Sequence, residues 1–249
     1  MRQLLPTWLD PVEPAAVYGD PPIHGDRPGV RLNVVTSVDG ANSVSGRSRG
    51  LGGPADRRLF LLLRTLADVV LVGAGTVRTE HYRPAEVGPA DQEARQQRSQ
   101  VPVPPIAVVS RSCALDWTSP FFTHAVARPV VLTVAGAPAA QRARAAEVAD
   151  VVLAGDTDVH LATALDALGA RGARSVLAEG GPELNRQLVR AGLLDELCLT
   201  LAPRLVGGDA TRILGGPELG GRDDLRLRSL CEEEGFLFLR YGTTGRVVD

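Results

Sequence analysis

The chain has 249 residues, a formal net charge of −2 at pH 7 and 44% hydrophobic residues. That length can bury one large α/β core, and the mixed charges argue against a nucleic-acid surface or a polybasic membrane surface. All 27 basic residues are arginine, which excludes a Schiff-base lysine and the lysine of a P-loop. We therefore expect a small molecule as the partner.

The cysteines and histidines lack the spacing of metal-binding motifs, so we expect no metal site. Cys198 and Cys231 lie in apolar strand patterns, which favours a packing role in the core. Residues 1–6 lack the apolar core of a signal peptide, and no apolar run approaches membrane-spanning length. These features predict a soluble cytoplasmic protein.

The first half of the chain begins with an arm and continues into a strand and a helix. Six prolines in residues 1–28 predict an arm with a short helix around Leu4 to Leu9. The strand from Val30 to Val38 ends at a turn that places Asp39 at its carboxyl edge. An amphipathic helix follows Pro54, and residues 68–72 form an apolar run typical of a buried parallel strand.

The middle of the chain alternates strands with helices, which predicts a mostly parallel sheet. Residues 79–104 contain four prolines, so we expect a long loop without regular structure, either an active-site cover or a flexible insertion. Beyond this loop the predicted strands are 106–109, 130–134 and 151–153, and the predicted helices are 137–148 and 159–168.

The last part of the chain changes from parallel to antiparallel patterning. A helix over 182–191 ends at Gly192, and three strands then follow without helices: 196–201, 225–231 and 235–241. Exposed final strands often pair between subunits, so a homodimer is expected. We predict an N-terminal arm over residues 1–28 and a single domain over 29–249.

Two glycine motifs are candidate anion sites. Gly180 and Gly181 lie between a buried strand and a helix that starts with Pro182, where free backbone N–H groups attract an anion; a tight connection is the alternative. The run from Gly73 to Arg78 begins like a dinucleotide fingerprint, but arginine replaces its third glycine. This excludes a standard Rossmann site and leaves a backbone cradle for a pyrophosphate.

Two arginine-containing segments suit phosphate groups. Gly46 to Gly50 fits the GxSxG pattern of a hydrolase, yet Ser48 lacks the buried strand before it and the helix directly after it. Arg47, Ser48 and Arg49 suit a phosphate-bearing substrate instead, with a solvated loop as the alternative. Ser110 and Arg111 follow a strand at its carboxyl edge, where arginine suits the 2′-phosphate of NADP; a surface arginine without a ligand is the alternative.

Three segments in this order resemble the reductase domain of the bacterial riboflavin-biosynthesis deaminase-reductase family: residues 31–40, 67–77 and 177–184. Residues 191–197 and 201–208 are also similar to it. The resemblance covers the chain from residue 28 onward. It implies a dihydrofolate-reductase-like fold, here an α/β fold with a mostly parallel central sheet, flanking helices and antiparallel C-terminal strands.

The resemblance also implies an activity. The family uses NADPH to deliver hydride to C1′ of the ribosyl group of an aminopyrimidine phosphate of the 5-amino-6-(5-phosphoribosylamino)uracil type. Reduction of a dihydrofolate or pterin and NADPH binding without catalysis are the alternatives. Asp39 would lie beside the substrate as the catalytic or positioning residue. The cofactor would contact Gly73, Ala74, Gly75, Thr76, Ser110, Arg111, Glu179, Gly180, Gly181 and Pro182, with a cis Gly180–Gly181 peptide; the substrate would contact Asn33, Ser37, Asp39 and Arg49.

The chain departs from the family pattern on the predicted substrate side. Asn33 stands where the family usually has lysine, and residues 49–52 replace a Lys-Trp-Ile-Thr-type run. Residues 78–84 replace an Asp-Asp-Pro segment, and the motifs of the zinc deaminase domain are absent from the sequence. A stand-alone reductase with a diverged pyrimidine substrate is the resulting expectation.

Overall fold

A computed structural model describes residues 1–247 of the chain. The chain divides into two compact units, of which the first comprises Met1–Pro22, Gly29–Leu63 and the chain from Ala178 onward. The second comprises Ile23–Pro28 and Arg64–Leu177. The division into an arm over 1–28 and one domain over 29–249 stays a prediction.

The secondary-structure elements follow the expected alternation. In chain order they are β1 (Arg2–Leu5), α1 (Pro14–Tyr18), β2 (Gly29–Ser37), a 3₁₀ turn (Ser48–Gly50), α2 (Pro54–Leu66), β3 (Val69–Gly73), α3 (Ala74–Thr79), α4 (Pro89–Gln97), β4 (Ile106–Val109), α5 (Pro120–Thr123), β5 (Val130–Thr133), α6 (Ala139–Val148), β6 (Asp150–Leu153), α7 (Leu161–Gly169), β7 (Ser175–Ala178), α8 (Pro182–Arg190), β8 (Glu196–Ala202), β9 (Arg222–Glu233) and β10 (Phe236–Val247).

In the first unit the strands lie in the order β1-β9-β10-β8-β2. β2 pairs in parallel with β8, and the other three pairings are antiparallel. β9 and β10 are joined by Glu234 and Gly235, whose φ values of 52° and 81° are those of a tight hairpin turn. The antiparallel C-terminal strands and this turn are confirmed.

In the second unit the order is β7-β3-β4-β5-β6, and β3, β4, β5 and β6 pair in parallel. Val70, Val72, Val108 and Val131 are completely buried in one core cluster, as expected for parallel strands covered on both faces. The parallel part of the predicted sheet is therefore confirmed.

The predicted helix around Leu4 to Leu9 is wrong. Residues 2–5 form β1 on the edge of β9, and Gln3 and Leu9 exchange backbone hydrogen bonds of 2.8 and 3.0 Å. The backbone groups of this segment are satisfied by sheet pairing across a turn and not by hydrogen bonds within a helix.

The prediction that residues 79–104 lack regular structure is also wrong, because α4 lies within them. Pro89 is the first residue of α4, where its missing N–H costs nothing, so it starts a helix instead of breaking one. Arg95 on α4 is completely buried. The segment is therefore a packed part of the second unit.

Cys198 and Cys231 are buried, as predicted, and burial raises the pKa of their thiols to about 12 and about 11. Among residues 1–247 no group of His, Cys, Asp and Glu side chains has the arrangement of a metal site. Over the same residues no helix has both the length and the apolar character needed to cross a membrane.

Candidate functional site

Asp39 lies in the turn that follows β2, two residues after Ser37, and its exposed carboxylate accepts hydrogen bonds from three donors. It accepts hydrogen bonds from the Ser37 hydroxyl at 2.5 Å, from the Gly207 N–H at 2.7 Å and from the Val206 N–H at 3.2 Å. These bonds, that of Ser37 first, hold the pKa of the Asp39 carboxyl below its ordinary value. Asp39 is therefore an ionised acceptor that fixes a neighbouring loop.

That loop, residues 204–212, is called the strap below. Besides its bonds to Asp39, the strap forms three hydrogen bonds with Asn42. The Asn42 N–H donates to the Thr211 carbonyl at 3.0 Å, its Nδ2 donates to the Arg212 carbonyl at 3.0 Å, and the Thr211 hydroxyl donates to its Oδ1 at 2.7 Å. Arg204 donates to the Gly50 carbonyl. The turn after β2 thus holds the strap at both ends.

The Gly180–Gly181 peptide is cis, which confirms that expectation. Gly180 has a φ of 91°, a left-handed conformation that favours glycine. A Cβ atom at Gly180 would lie 3.6 Å from both polar atoms of the Asn185 amide. Asn185 is 2% exposed, and its Nδ2 donates to the Ile213 carbonyl at 2.8 Å. Its Oδ1 is buried and accepts no hydrogen bond within residues 1–247.

Helix α8 begins directly after this pair of glycines. Gly181 is its N-cap without a side-chain cap, and Pro182 occupies the first turn. The Gly215 N–H donates to the Pro182 carbonyl at 3.1 Å, so the chain beyond the strap lies against the start of α8. The predicted strand, glycine pair and helix are therefore all present, and Glu179 and Gly180 precede the helix as expected.

In the second unit the glycine motif lies where the sequence predicts it. Gly73 ends β3 and is the N-cap of α3, with extended backbone angles and no side-chain cap. Ala74 and Thr76 follow in α3, and open space surrounds the Cα of Gly75 on the side where a Cβ would project. Arg78, at the position of the missing third glycine, donates to the Ala114 carbonyl at 3.0 Å.

Ser110 and Arg111 lie beyond the end of β4, also as predicted. Ser110 is buried and its N–H donates to the Leu132 carbonyl at 3.0 Å. The Arg111 guanidinium lies 3.3 Å from the Asp158 carboxylate, and both side chains are about 70% exposed. Such an exposed ion pair is weak, so Arg111 is free to exchange Asp158 for another anion.

The predicted substrate residues lie in the first unit. Asn33 is on β2, opposite Cys198 of β8, and its Oδ1 is buried without a hydrogen-bond partner among the described residues. Arg49 is exposed in the 3₁₀ turn. Ser48 begins that turn, with no strand ending before it and no α-helix directly after it, so the hydrolase arrangement is absent from this segment.

The structure brings two of the predicted residues into direct contact and divides the rest between the two compact units. Ser37 and Asp39 are in direct contact, and Asn33, Arg49, Glu179, Gly180, Gly181 and Pro182 belong to the same unit. Gly73, Ala74, Gly75, Thr76, Ser110 and Arg111 belong to the second unit. Asn42 and Asn185 were missed; a helical asparagine four residues after Gly181 is the one sequence signal that could have indicated Asn185.

The comparisons with known proteins agree on one family. Residues 28–233 match the model of the RibD C-terminal domain. The chain is similar to the 2,5-diamino-6-ribosylamino-4(3H)-pyrimidinone 5′-phosphate reductases of Archaeoglobus fulgidus and Methanothermobacter thermautotrophicus. Each is 31% identical to it, over 73% and 76% of this chain and 83% of the relative.

Among solved structures, the chain is similar to a pyrimidine reductase-like protein from Corynebacterium diphtheriae. The TM-score is 0.81 and the identity 29%, over 93% of this chain and 98% of that one. The predicted fold class is confirmed by this likeness and by the sheet described above. The family match, the reductase relatives and the sheet lead to one conclusion: this chain belongs to the RibD C-terminal domain family of reductases.

Proposed function

We propose that this protein uses NADPH to reduce a ribosylaminopyrimidine 5′-phosphate of riboflavin biosynthesis, with hydride delivered to C1′ of the ribosyl group. The observation that carries the proposal is the similarity to two curated pyrimidine reductases over most of both chains. The glycine motifs at the ends of β3 and β7 support it, because Gly180 has a left-handed φ and no protein atom fills the space beside the Cα of Gly75, so a ligand can approach the backbone at both.

The residues present fit a nicotinamide cofactor. Gly180 has no side chain on the face that the Asn185 amide lines, and the buried Oδ1 of Asn185 is an acceptor without a donor. A buried acceptor of this kind is costly unless a ligand or water satisfies it. A ligand with amide N–H groups, such as the carboxamide of nicotinamide, would supply that donor.

The cofactor supplies the hydride when it is bound; the residues of this chain bind and orient. The residues that we expect to contact it are Gly73, Ala74, Gly75, Thr76, Ser110, Arg111, Glu179, Gly180, Gly181 and Pro182. Arg111 would exchange Asp158 for the 2′-phosphate.

On the substrate side, the side chains supply acceptors and charge. Asn33 would direct its unpartnered Oδ1 to a donor of the pyrimidine, and Arg49 would attract the phosphate. Ser37 and Asp39 position the strap, because the Asp39 carboxylate is already occupied by three donors. Asp39 therefore acts through the loop that it holds and not as a proton donor.

The decisive experiment follows NADPH oxidation by the purified protein with a panel of substrates. We expect turnover with the 2,5-diamino-pyrimidinone or the aminouracil form of the ribosylamino 5′-phosphate. Turnover with dihydrofolate or dihydropterin alone would mean that the substrate is a pterin and not a pyrimidine. Tight NADPH binding without turnover of any substrate would mean a binding protein.

We further propose a cytoplasmic homodimer. β1 pairs with β9 at residues 230–232, which leaves the edge of β9 from Arg222 to Ser229 without a paired strand among the described residues. Leu225 and Leu227 on this edge are 38% and 37% exposed. An open strand edge that carries two exposed leucines offers backbone groups for pairing with a second copy. Light scattering should give twice the 26.3 kDa chain mass, and Leu227→Glu should give the monomer.

A further inference from the structure

The first turn of α2 carries a partly buried carboxylate, that of Asp56. The hydroxyl of Thr200 on β8, a residue that is 1% exposed, donates a hydrogen bond to it. Burial raises the pKa of the Asp56 carboxyl, and the bond from Thr200 opposes this rise. Among the side chains that the structure describes, no cation forms an ion pair with Asp56. One hydroxyl leaves most of the acceptor capacity of this carboxylate unused.

The start of α2 packs on one face of the sheet. A Cβ at Gly53, directly before α2, would lie 2.8 Å from the Phe236 ring of β10. Phe238 follows Phe236 by two residues and is paired with Thr200, so these three side chains project from the same face. The contact between Asp56 and Thr200 is made on that face as well.

Asn33 projects from the same face of the sheet. In the parallel pairing of β2 with β8, Asn33 is paired with Cys198 and Val35 with Thr200, and both residues of β2 are half-buried. Side chains two residues apart in a strand share a face, and neighbouring strands lie about 4.8 Å apart with a rise of about 3.3 Å per residue. The Cα atoms of Asn33 and Thr200 are therefore about 8 Å apart. At this spacing a single heterocycle can contact both the Asn33 amide and the Asp56 carboxylate.

The two forms of the ribosylamino 5′-phosphate differ at C2 of the pyrimidine ring. The 2,5-diamino form has an amino group at C2 beside N3–H, which makes two adjacent donors. The aminouracil form has a carbonyl at C2 beside N3–H, which makes one acceptor and one donor. An ionised carboxylate only accepts, so its two oxygens match the first edge, whereas one of them opposes the C2 carbonyl of the second. The unused acceptor capacity of Asp56 thus suits the 2,5-diamino form.

We infer that Asp56 binds the N3–H and the 2-amino group of a 2-amino-4-pyrimidinone and selects this form over the aminouracil, and that Thr200 is the positioning residue that orients the carboxylate. The opposite edge of the ring would face Asn33, whose buried Oδ1 has no partner among the described residues and would accept from the 5-amino group. The inference rests on the proposed function and deepens it, because it names the form of the substrate.

The test compares kcat/KM for the two pyrimidine forms with NADPH. The unaltered protein should favour the 2,5-diamino form by about ten-fold or more, since the aminouracil leaves a mispaired polar group in the site. Asp56→Asn should reverse the preference by a similar factor, because its amide presents an acceptor to N3–H and a donor to the C2 carbonyl of the aminouracil. A merely structural role of Asp56 would lower both values alike and would not reverse their order.

The chain contains a matched control for Asp56. Asp91 follows proline and alanine in the first turn of α4, as Asp56 does in α2, but it is exposed and lies in the second unit. Asp91→Asn removes the same charge from the start of a helix and should leave both kcat/KM values unchanged. Thr200→Val removes the hydroxyl that orients Asp56, so the preference for the 2,5-diamino form should fall about three-fold, and Thr200→Ser should restore it.

An unchanged preference in Asp56→Asn would overturn the inference, and so would an equal loss with both forms. Failure of the proposed function gives different results. If no pyrimidine is turned over, calorimetric titration of both forms into the NADP⁺-saturated protein still measures the preference. A reversal in Asp56→Asn would then retain the role of Asp56 and reject the reaction, and binding of neither form would reject both.

A pterin presents the same 2-amino and N3–H edge, so dihydropterin is included among the substrates. Turnover of dihydropterin alone, lost in Asp56→Asn, would support the role of Asp56 and reject the ribosyl substrate. Turnover of the pyrimidines with the same preference in Asp56→Asn as in the unaltered protein would retain the reaction and reject the role of Asp56.

Discussion

Asp39 shows how a residue predicted from a turn signal acquires its role from its partners. The sequence places a carboxylate at the end of β2 but does not reveal what it contacts. In the structure, Ser37, Val206 and Gly207 donate to it, and these bonds lower the pKa of its carboxyl. Two of the donors are backbone N–H groups far along the chain, which no local pattern indicates.

Asp39→Asn should lower kcat/KM for the pyrimidine by about ten-fold while NADPH affinity stays nearly unchanged. The amide places an N–H₂ group against two backbone N–H donors, so the strap loses its anchor. Steady-state kinetics with a separate NADPH titration measures both effects. Asp166→Asn, on the exposed side of α7, should leave both unchanged. Weaker NADPH binding as the main effect would assign Asp39 to the cofactor.

The pH dependence has a defined sign. The folded-state pKa of Asp39 lies below its ordinary value near 3.9, so the ionised form that holds the strap is present above that value. It is lost only as the pH falls through the lowered pKa. Between pH 5 and 8, turnover by the unaltered protein should therefore show no rise or fall with pH that is lost in Asp39→Asn.

At the scale of elements, periodicity predicted most strands and helices. The uninterrupted apolar runs became the parallel strands β3, β4 and β5, and the strands without helices became the antiparallel β8, β9 and β10. The two errors arose where local signals compete with tertiary contacts. The segment around Leu4 pairs with β9 instead of forming the predicted helix, and Pro89 starts a helix where a proline count indicated a loop.

Helix α4 has a function that the sequence could not reveal. The Arg95 guanidinium donates to the carbonyls of Thr65 and Ala67 at 2.9 and 2.7 Å and to that of Val101 at 2.8 Å. The last carbonyls of a helix lack partners within the helix, so Arg95 caps the end of α2 with donors and a positive charge. Burial lowers the pKa of Arg95 to about 10, which leaves it charged at neutral pH.

Arg95→Met should lower the free energy of unfolding by about 2–4 kcal/mol, because several buried carbonyls lose their donor at once. Chemical denaturation measures the change. Arg98→Met is the matched control: Arg98 is exposed and donates one bond to the Thr65 carbonyl and one to the Gln100 side chain, so its loss should cost about 1 kcal/mol or less. Equal effects of the two variants would contradict a special role of Arg95.

At the scale of the whole molecule, the sequence predicted the family fold because its motifs occur in order along the chain. It did not predict that the candidate residues are divided between two compact units. The first unit is built from three chain segments and the second from two, and α2 begins in one and ends in the other. Neither unit is therefore a continuous piece of chain that could be cut out and folded alone.

Because each unit is built from several segments of the chain, we expect a single cooperative thermal transition. A cofactor that binds the folded chain must raise the midpoint temperature of this transition. NADPH at one hundred times its dissociation constant should add about 2.7 kcal/mol of stability, which corresponds to roughly 5–10 °C for a chain of this length. NADH at the same concentration should raise the midpoint less, because it lacks the 2′-phosphate assigned to Arg111. In differential scanning calorimetry, Arg111→Ala should reduce the increase in midpoint temperature that NADPH causes, toward the increase that NADH causes. No shift with either nucleotide would refute the reductase assignment.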